Sequence, residues 1–227
     1  MRLILFDIDG TLVQCGSQVR DLFTGALGEV YGKTVETAGY SFAGRTDPGI
    51  VHDLLRDVGL PEDEVEAGLP AMRRSYLQRL EAGLDVRRMR LLPGVLELLE
   101  ELAPRPDVTV GLLTGNWSDG ARIKLSRFDL NRFFTFGAFG DDGVDRNTLP
   151  PVALERAFAA TGRRFRPGET LIIGDSLLDV ACGRASGVPV LAVATGFTPA
   201  EALAEAGADW VVEDLWAARA PLATFAA

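Results

Sequence analysis

The chain is short of the residues on which several large enzyme classes depend. Among its 227 residues there is one histidine, His52, and there are two cysteines, Cys15 and Cys182. With no cysteine near that histidine in sequence, a Cys/His or Ser/His/Asp catalyst is disfavoured. Two cysteines do not make a disulfide framework and read as reduced thiols of a cytoplasmic protein. Positive charge is also scarce: Lys and Arg total 23 against 32 Asp and Glu, a formal net charge of −9. This argues against a nucleic-acid backbone or an anionic membrane as partner. An anionic substrate must then be held by local cations, a metal or backbone amides. No apolar run is long enough to cross a bilayer, and the run Leu3–Phe6 after Met1-Arg2 is too short for a secretory signal.

What is present is the composition of a soluble globular protein, 47% hydrophobic and 24% charged. The length suits one large domain or a core with a smaller insert. From residue 91 onward, strand and helix alternate. The runs Val108–Leu113, Thr170–Ile173, Val188–Val193 and Trp210–Val212 read as strands, with Leu3–Phe6 before them. They are apolar with little polar alternation, as in strands covered on both faces. Between them, helices are expected over about 94–103, 118–127, 150–161, 176–186, 199–206 and 214–224. This order implies a doubly wound parallel α/β sheet, a Rossmann-like core.

Residues 15–90 break the rhythm. They show no convincing strand and read as helices over about 17–31, 47–58 and 62–82, with Ile50, Val51, Leu54, Leu55 and Val58 forming one apolar stripe. The expected division is therefore a core of 1–14 and 91–227 and an α-helical cap of 15–90, placed to act as a lid. His52 lies beside the stripe and is expected to be solvated, and Asp141-Asp142 reads as a solvated loop pair.

The first strand delivers two carboxylates, Asp7 and Asp9, to its carboxyl end, where ligands of open α/β sheets bind. Two charges at the mouth of a buried strand are costly unless something cationic or reactive meets them. Two further strand ends point the same way: Thr114-Gly115-Asn116 and Gly174-Asp175-Ser176, the latter followed by Asp179. Clustered carboxylates suit a hard cation such as Mg²⁺, and Thr114 with the amides after it suits phosphate oxygens. A carboxylate can also be a nucleophile towards phosphorus. Two weaker patterns carry nothing. Gly28–Thr34 has one residue too few for a P-loop, and the sequon Asn116-Trp117-Ser118 falls inside the cleft.

Asp7-Ile8-Asp9-Gly10-Thr11, Leu113-Thr114-Gly115-Asn116 and Gly174-Asp175-Ser176-Leu177-Leu178-Asp179 resemble, in order and separation, three motifs of the haloacid-dehalogenase-like hydrolases. The insert after the first motif resembles the helical cap of the phosphoglycolate-phosphatase-like branch. The resemblance implies a phosphoric monoester hydrolase in which Asp7 is the nucleophile and Asp9 the general acid and then base. It further implies Mg²⁺ held by Asp7, the backbone carbonyl of Asp9 and Asp175, a phosphoryl group bound by Thr114, Gly115 and Asn116, and Asp179 orienting the site from behind.

The sequence departs from that family at the third motif. Asp145–Pro151 places Thr148 where a Lys is usual. Arg146 is the nearest replacement cation, and Lys124 on the helix after Thr114 competes with it. Arg45, in Gly44-Arg45-Thr46-Asp47, is a candidate cap contact to substrate, although Asp47 there suits a capping role equally. The implied partner is a small phosphorylated metabolite, and the protein a monomer or homodimer. Two other readings stand beside this one: a phosphomutase of the same family, and a phosphorylation-switched receiver-type module. The spacing of Asp9 from Asp7 and the lid-sized insert disfavour the receiver.

Overall fold

In the computed structural model, which describes residues 1–226, the chain folds as a six-stranded parallel sheet with helices on both faces. The first strand, β1 (Arg2–Phe6), shows why the sheet is buried twice over. Ile4 and Phe6 enter one apolar cluster and Leu3 and Leu5 the other, so neither face can be polar. Each such side chain contributes about 1.5–3 kcal/mol when fully buried.

The chain then passes through β2 (Val13–Gln14), which pairs antiparallel with β3 (Arg90–Leu91) in a separate two-stranded ribbon. Between these two strands lie α1 (Gln18–Tyr31), α2 (Asp47–Asp57) and α3 (Glu62–Gly83). Gly32 in the left-handed conformation closes α1. Thr46 caps α2 by accepting from Gly49 N, with Pro48 in the first turn. Phe23 of α1 packs edge-on against Tyr76 of α3 at 4.9 Å.

After β3 the helices and strands alternate as expected: α4 (Val95–Leu102), β4 (Val108–Leu113), α5 (Ser118–Ser126), β5 (Gly137–Ala138), α6 (Leu149–Thr161), β6 (Thr170–Gly174) and α7 (Leu177–Ser186). The chain ends with β7 (Val190–Val193), α8 (Ala200–Glu205), β8 (Trp210–Val212) and α9 (Arg219–Ala226). The sheet order is β5-β4-β1-β6-β7-β8, which puts β1 in the interior with β4 and β6 on its two sides. The short strand β5 and the ribbon β2–β3 are not visible as apolar runs. Strand β7 begins at Val190, two residues later than expected, because Pro189 has no N–H for the ladder. Phe6 is level with Leu112 and with Ile173, so Asp7, Thr114 and Asp175 leave the sheet side by side.

Candidate active site

Asp7 continues β1 by one residue, its N–H donating to Ile173 O at 2.9 Å. Its side chain is buried beside that of Asp175. The Asp175 carboxylate has a cradle of glycine: a Cβ at Gly10 or Gly196 would collide with it. Gly10 also turns the chain with φ of +84°, a conformation glycine adopts without strain. Thr11 Oγ1 donates to Asp175 Oδ1 at 3.3 Å. Burial pushes Asp7 up to about 6 despite the nearby Arg146 guanidinium, with repulsion from Asp179 and Asp9 adding to the rise. Burial, then repulsion from Asp179 and Asp7, holds Asp175 well above the ordinary carboxylate range.

Asp179 and Arg146 support this pair from behind. Ser176 caps α7 in a reciprocal box, and Asp179 Oδ2 accepts from Ser176 N at 3.0 Å and Ser176 Oγ at 2.6 Å. Its other oxygen accepts from Arg146 Nη2 at 2.5 Å. The same nitrogen lies 3.3 Å from Asp7 Oδ1 and donates to Leu113 O at 3.0 Å. Arg146 is buried, which weakens its charge. The Asp179 and Asp7 carboxylates outweigh that effect and hold its proton more firmly.

Lys124 does not compete with Arg146 for that place; it forms a second assembly. From the last turn of α5, its Nζ reaches back to donate to Asp9 Oδ2 and to Asn116 Oδ1, each at 2.6 Å. Asn116 Nδ2 donates to Asp9 Oδ2 and to Thr114 Oγ1, each at 2.8 Å. Burial works against the Lys124 charge, and attraction to Asp9 overrides it, so its affinity for the proton is well above the ordinary lysine range. Thus Arg146 faces Asp7 and Lys124 faces Asp9.

The segment Gly44–Asp47 of the insert lies on these loops. Asp47 N donates to Gly115 O at 2.7 Å, and Thr46 Oγ1 donates to Val144 O at 2.5 Å. Arg146 Nη1 donates to Gly44 O at 2.9 Å. A Cβ at Gly115 would strike the Arg45 carbonyl, so glycine is what permits the approach. Asp47 Oδ2 accepts from Trp117 N at 2.8 Å, and burial pushes this carboxyl up to about 7. The helix cap expected of Asp47 is supplied by Thr46 instead. Trp117 is buried between core and insert, near Phe23 and Tyr76.

Arg45 borders the cavity, and two other expected placements differ. The Arg45 guanidinium turns to Asp53 Oδ2 at 2.6 Å and Ser41 O at 3.1 Å, over the Tyr40 ring. His52 is buried rather than solvated, because Glu62 and Glu66 of α3 cover it at 3.6 and 3.1 Å. The Asp141-Asp142 pair is engaged. Asp141 accepts from Ser118 N and pairs with Arg73, and Asp142 takes both Nη atoms of Arg156.

Asp7, Asp175 and Asp179 place carboxylate oxygens within 4.8 Å of one another. Both oxygens of Asp179 are already engaged, which leaves Asp7 and Asp175 as adjacent hard-oxygen donors. The donor chemistry and the glycine cradle fit Mg²⁺. The cavity above them has a volume of about 130 Å³ and reaches Asp9, Thr114 and Asn116. Among the described residues, no helix is long and apolar enough to cross a membrane.

A family model described as haloacid dehalogenase-like hydrolase matches residues 4–193. A phosphoglycolate phosphatase of Pseudomonas syringae pv. tomato is 27% identical over 219 residues, covering 94% of this chain and 77% of the relative. A plasmid-borne phosphoglycolate phosphatase of Cupriavidus necator is 27% identical, with 93% and 89% covered. The crystal structure of a hydrolase from Pseudomonas syringae superposes with a TM-score of 0.72 at 23% identity, covering all of both chains (100% each). The structure of CbbY from Rhodobacter sphaeroides in complex with phosphate gives 0.72 at 20% identity, with 96% and 97% covered.

Proposed function

Because this chain belongs to the haloacid dehalogenase-like hydrolases, we propose that it is a cytoplasmic phosphatase of small phosphorylated metabolites, working through an acyl phosphate on Asp7. The observation that carries this reading is the separation of two cation–carboxylate assemblies, Arg146 at the buried Asp7 and Lys124 at the half-exposed Asp9. A nucleophile and an acid–base group need different surroundings, and here each has its own.

In the first half-reaction an Asp7 oxygen attacks phosphorus and the bond to the alcohol oxygen breaks. Asp9 gives its proton to that oxygen as it leaves. In the second, Asp9 takes a proton from water as the water oxygen attacks phosphorus. The phosphorus–oxygen bond to Asp7 breaks, releasing inorganic phosphate and restoring both carboxyl groups. Thr114 and the amides of Gly115 and Asn116 bind the phosphoryl oxygens. The Arg146 and Lys124 charges offset the spreading negative charge. Asp7, Asp175 and the carbonyl of Asp9 would hold Mg²⁺, which supplies charge neutralisation at the phosphoryl group. The helical insert, residues 15–90, serves as a cap that excludes bulk water.

Asp7→Asn tests the reading. Hydrolysis of p-nitrophenyl phosphate should fall at least about a thousandfold, as for loss of a covalent nucleophile. The Mg²⁺-dependent rise in melting temperature should survive in part. Steady turnover by this variant close to the parent rate would remove Asp7 from its role.

A further inference from the structure

We infer that the alcohol accepted at this site is compact and uncharged, with an apolar face, and that monoesters carrying a carboxylate are disfavoured. The inference rests on the phosphomonoesterase reading and concerns what the insert adds to it.

Away from the reacting carboxylates, the apolar part of the lining is Val19 of α1, Phe42 and Ala43 of the connecting segment, Ile50 of α2 and the exposed Phe197, with the polar Gln14 beside them. Phe42 is fixed in place. Its ring meets Phe23 edge-on at 5.6 Å, and the Arg20 guanidinium stacks over it at 4.5 Å. Arg20 in turn donates to Thr37 O at 2.6 Å and Tyr40 O at 3.0 Å, so its charge serves the segment rather than the cavity.

Three cations do reach the lining, and each is committed. Lys124 is held by Asp9 and Asn116, and Arg146 by Asp179 and Asp7, both at the phosphoryl end. Arg45 also borders the cavity, and its guanidinium is held by Asp53 at 2.6 Å. The amino terminus of α1, at the edge of the cavity, has Asp21 in its first turn. Buried Asp47 adds a further acidic group to the lining. A carboxylate on the leaving group would therefore be desolvated against apolar side chains and acids with no free cation to receive it. An uncharged alcohol gains the apolar contact and incurs no such penalty. The same shortage of cations weighs against the second phosphate of a bisphosphate, and so against mutase chemistry.

The test compares matched esters and their non-hydrolysable counterparts on the full chain in millimolar Mg²⁺. Release of inorganic phosphate is measured from propyl phosphate and 2-phosphoglycolate, and thermal shifts from propylphosphonate and phosphonoacetate. The expected result is kcat/KM at least about tenfold higher for propyl phosphate, with propylphosphonate giving the larger shift. Val19→Arg should move the ratio at least about tenfold towards 2-phosphoglycolate by supplying the missing cation. Equal or better use of 2-phosphoglycolate by the parent protein would overturn the inference and leave the phosphatase reading intact. So would a selective loss of 2-phosphoglycolate turnover in Arg45→Gln, which would mean that this guanidinium swings inward. If no ester, p-nitrophenyl phosphate included, is hydrolysed, both the reading and the inference fall.

Discussion

Arg146→Met isolates the charge that holds the surroundings of Asp7 together. The guanidinium is buried and contacts Asp179, Asp7, Leu113 O and Gly44 O. A methionine fills similar volume and leaves two buried carboxylates facing each other. Breaking one side of a buried ion pair costs about 3–5 kcal/mol. For a chain of this size each kcal/mol moves the midpoint by about 2–4 °C, so a loss of about 10 °C is expected. The deficit must depend on pH. Asp7 already stands at about 6 in the presence of Arg146, and without it the folded-state pKa moves further above the unfolded value. The folded variant then binds more protons than its unfolded chain, and its stability falls as pH rises through that window. Thermal melts in EDTA should show the largest deficit at about pH 8 and a smaller one at about pH 5. Adding Asp179→Asn should recover part of the loss. Equal deficits at both pH values, or a midpoint within about 2 °C of the parent at pH 8, would refute the argument.

Two further outcomes follow from other carboxylates. Asp47 stands at about 7 when folded, above its unfolded value. Its contribution therefore falls as pH rises from about 4 to 7, by up to about 4 kcal/mol for an isolated group. Asp47→Asn keeps an acceptor for Trp117 N but cannot ionise, so its melting curve should lose that slope; an unchanged slope would reject the assignment. Mg²⁺ must displace protons held at Asp7 and Asp175, so its thermal shift should be larger at about pH 8 than at about pH 5.5. A shift independent of pH would place the ion elsewhere.

The parallel core could be read from residues because its strands carry their own signal. Leu3–Phe6, Val108–Leu113 and Thr170–Ile173 are largely apolar without alternation, and each is followed by Asp or Thr, with Gly adjacent in the second and third. Those endings named Asp7, Thr114 and Asp175, which the fold brings to one crevice. Gly137–Ala138 and the ribbon at Val13–Gln14 were invisible because two residues carry no period. Other placements depend on side-chain partners that no linear pattern pairs. The burial of His52 depends on α3 lying over it, and Arg45 turns away because Asp53 and Tyr40 are there to receive it. Arg146 and Lys124 looked like rivals for one position. Nothing in a linear pattern shows that α5 carries Lys124 back to Asp9 while Arg146 stays with Asp7.

The paired strands Val13–Gln14 and Arg90–Leu91 are the two covalent crossings to and from the helical insert, and they are bonded to each other. Any swing of the insert must therefore twist both crossings as one axle. The chain entering that axle is the loop of Asp9, and Gly10 N donates to Val13 O at 2.9 Å. Opening the cleft would thus tilt the Asp9 carboxylate away from Lys124 and Asn116. Any proton transfer by Asp9 would be disarmed whenever the door stands ajar.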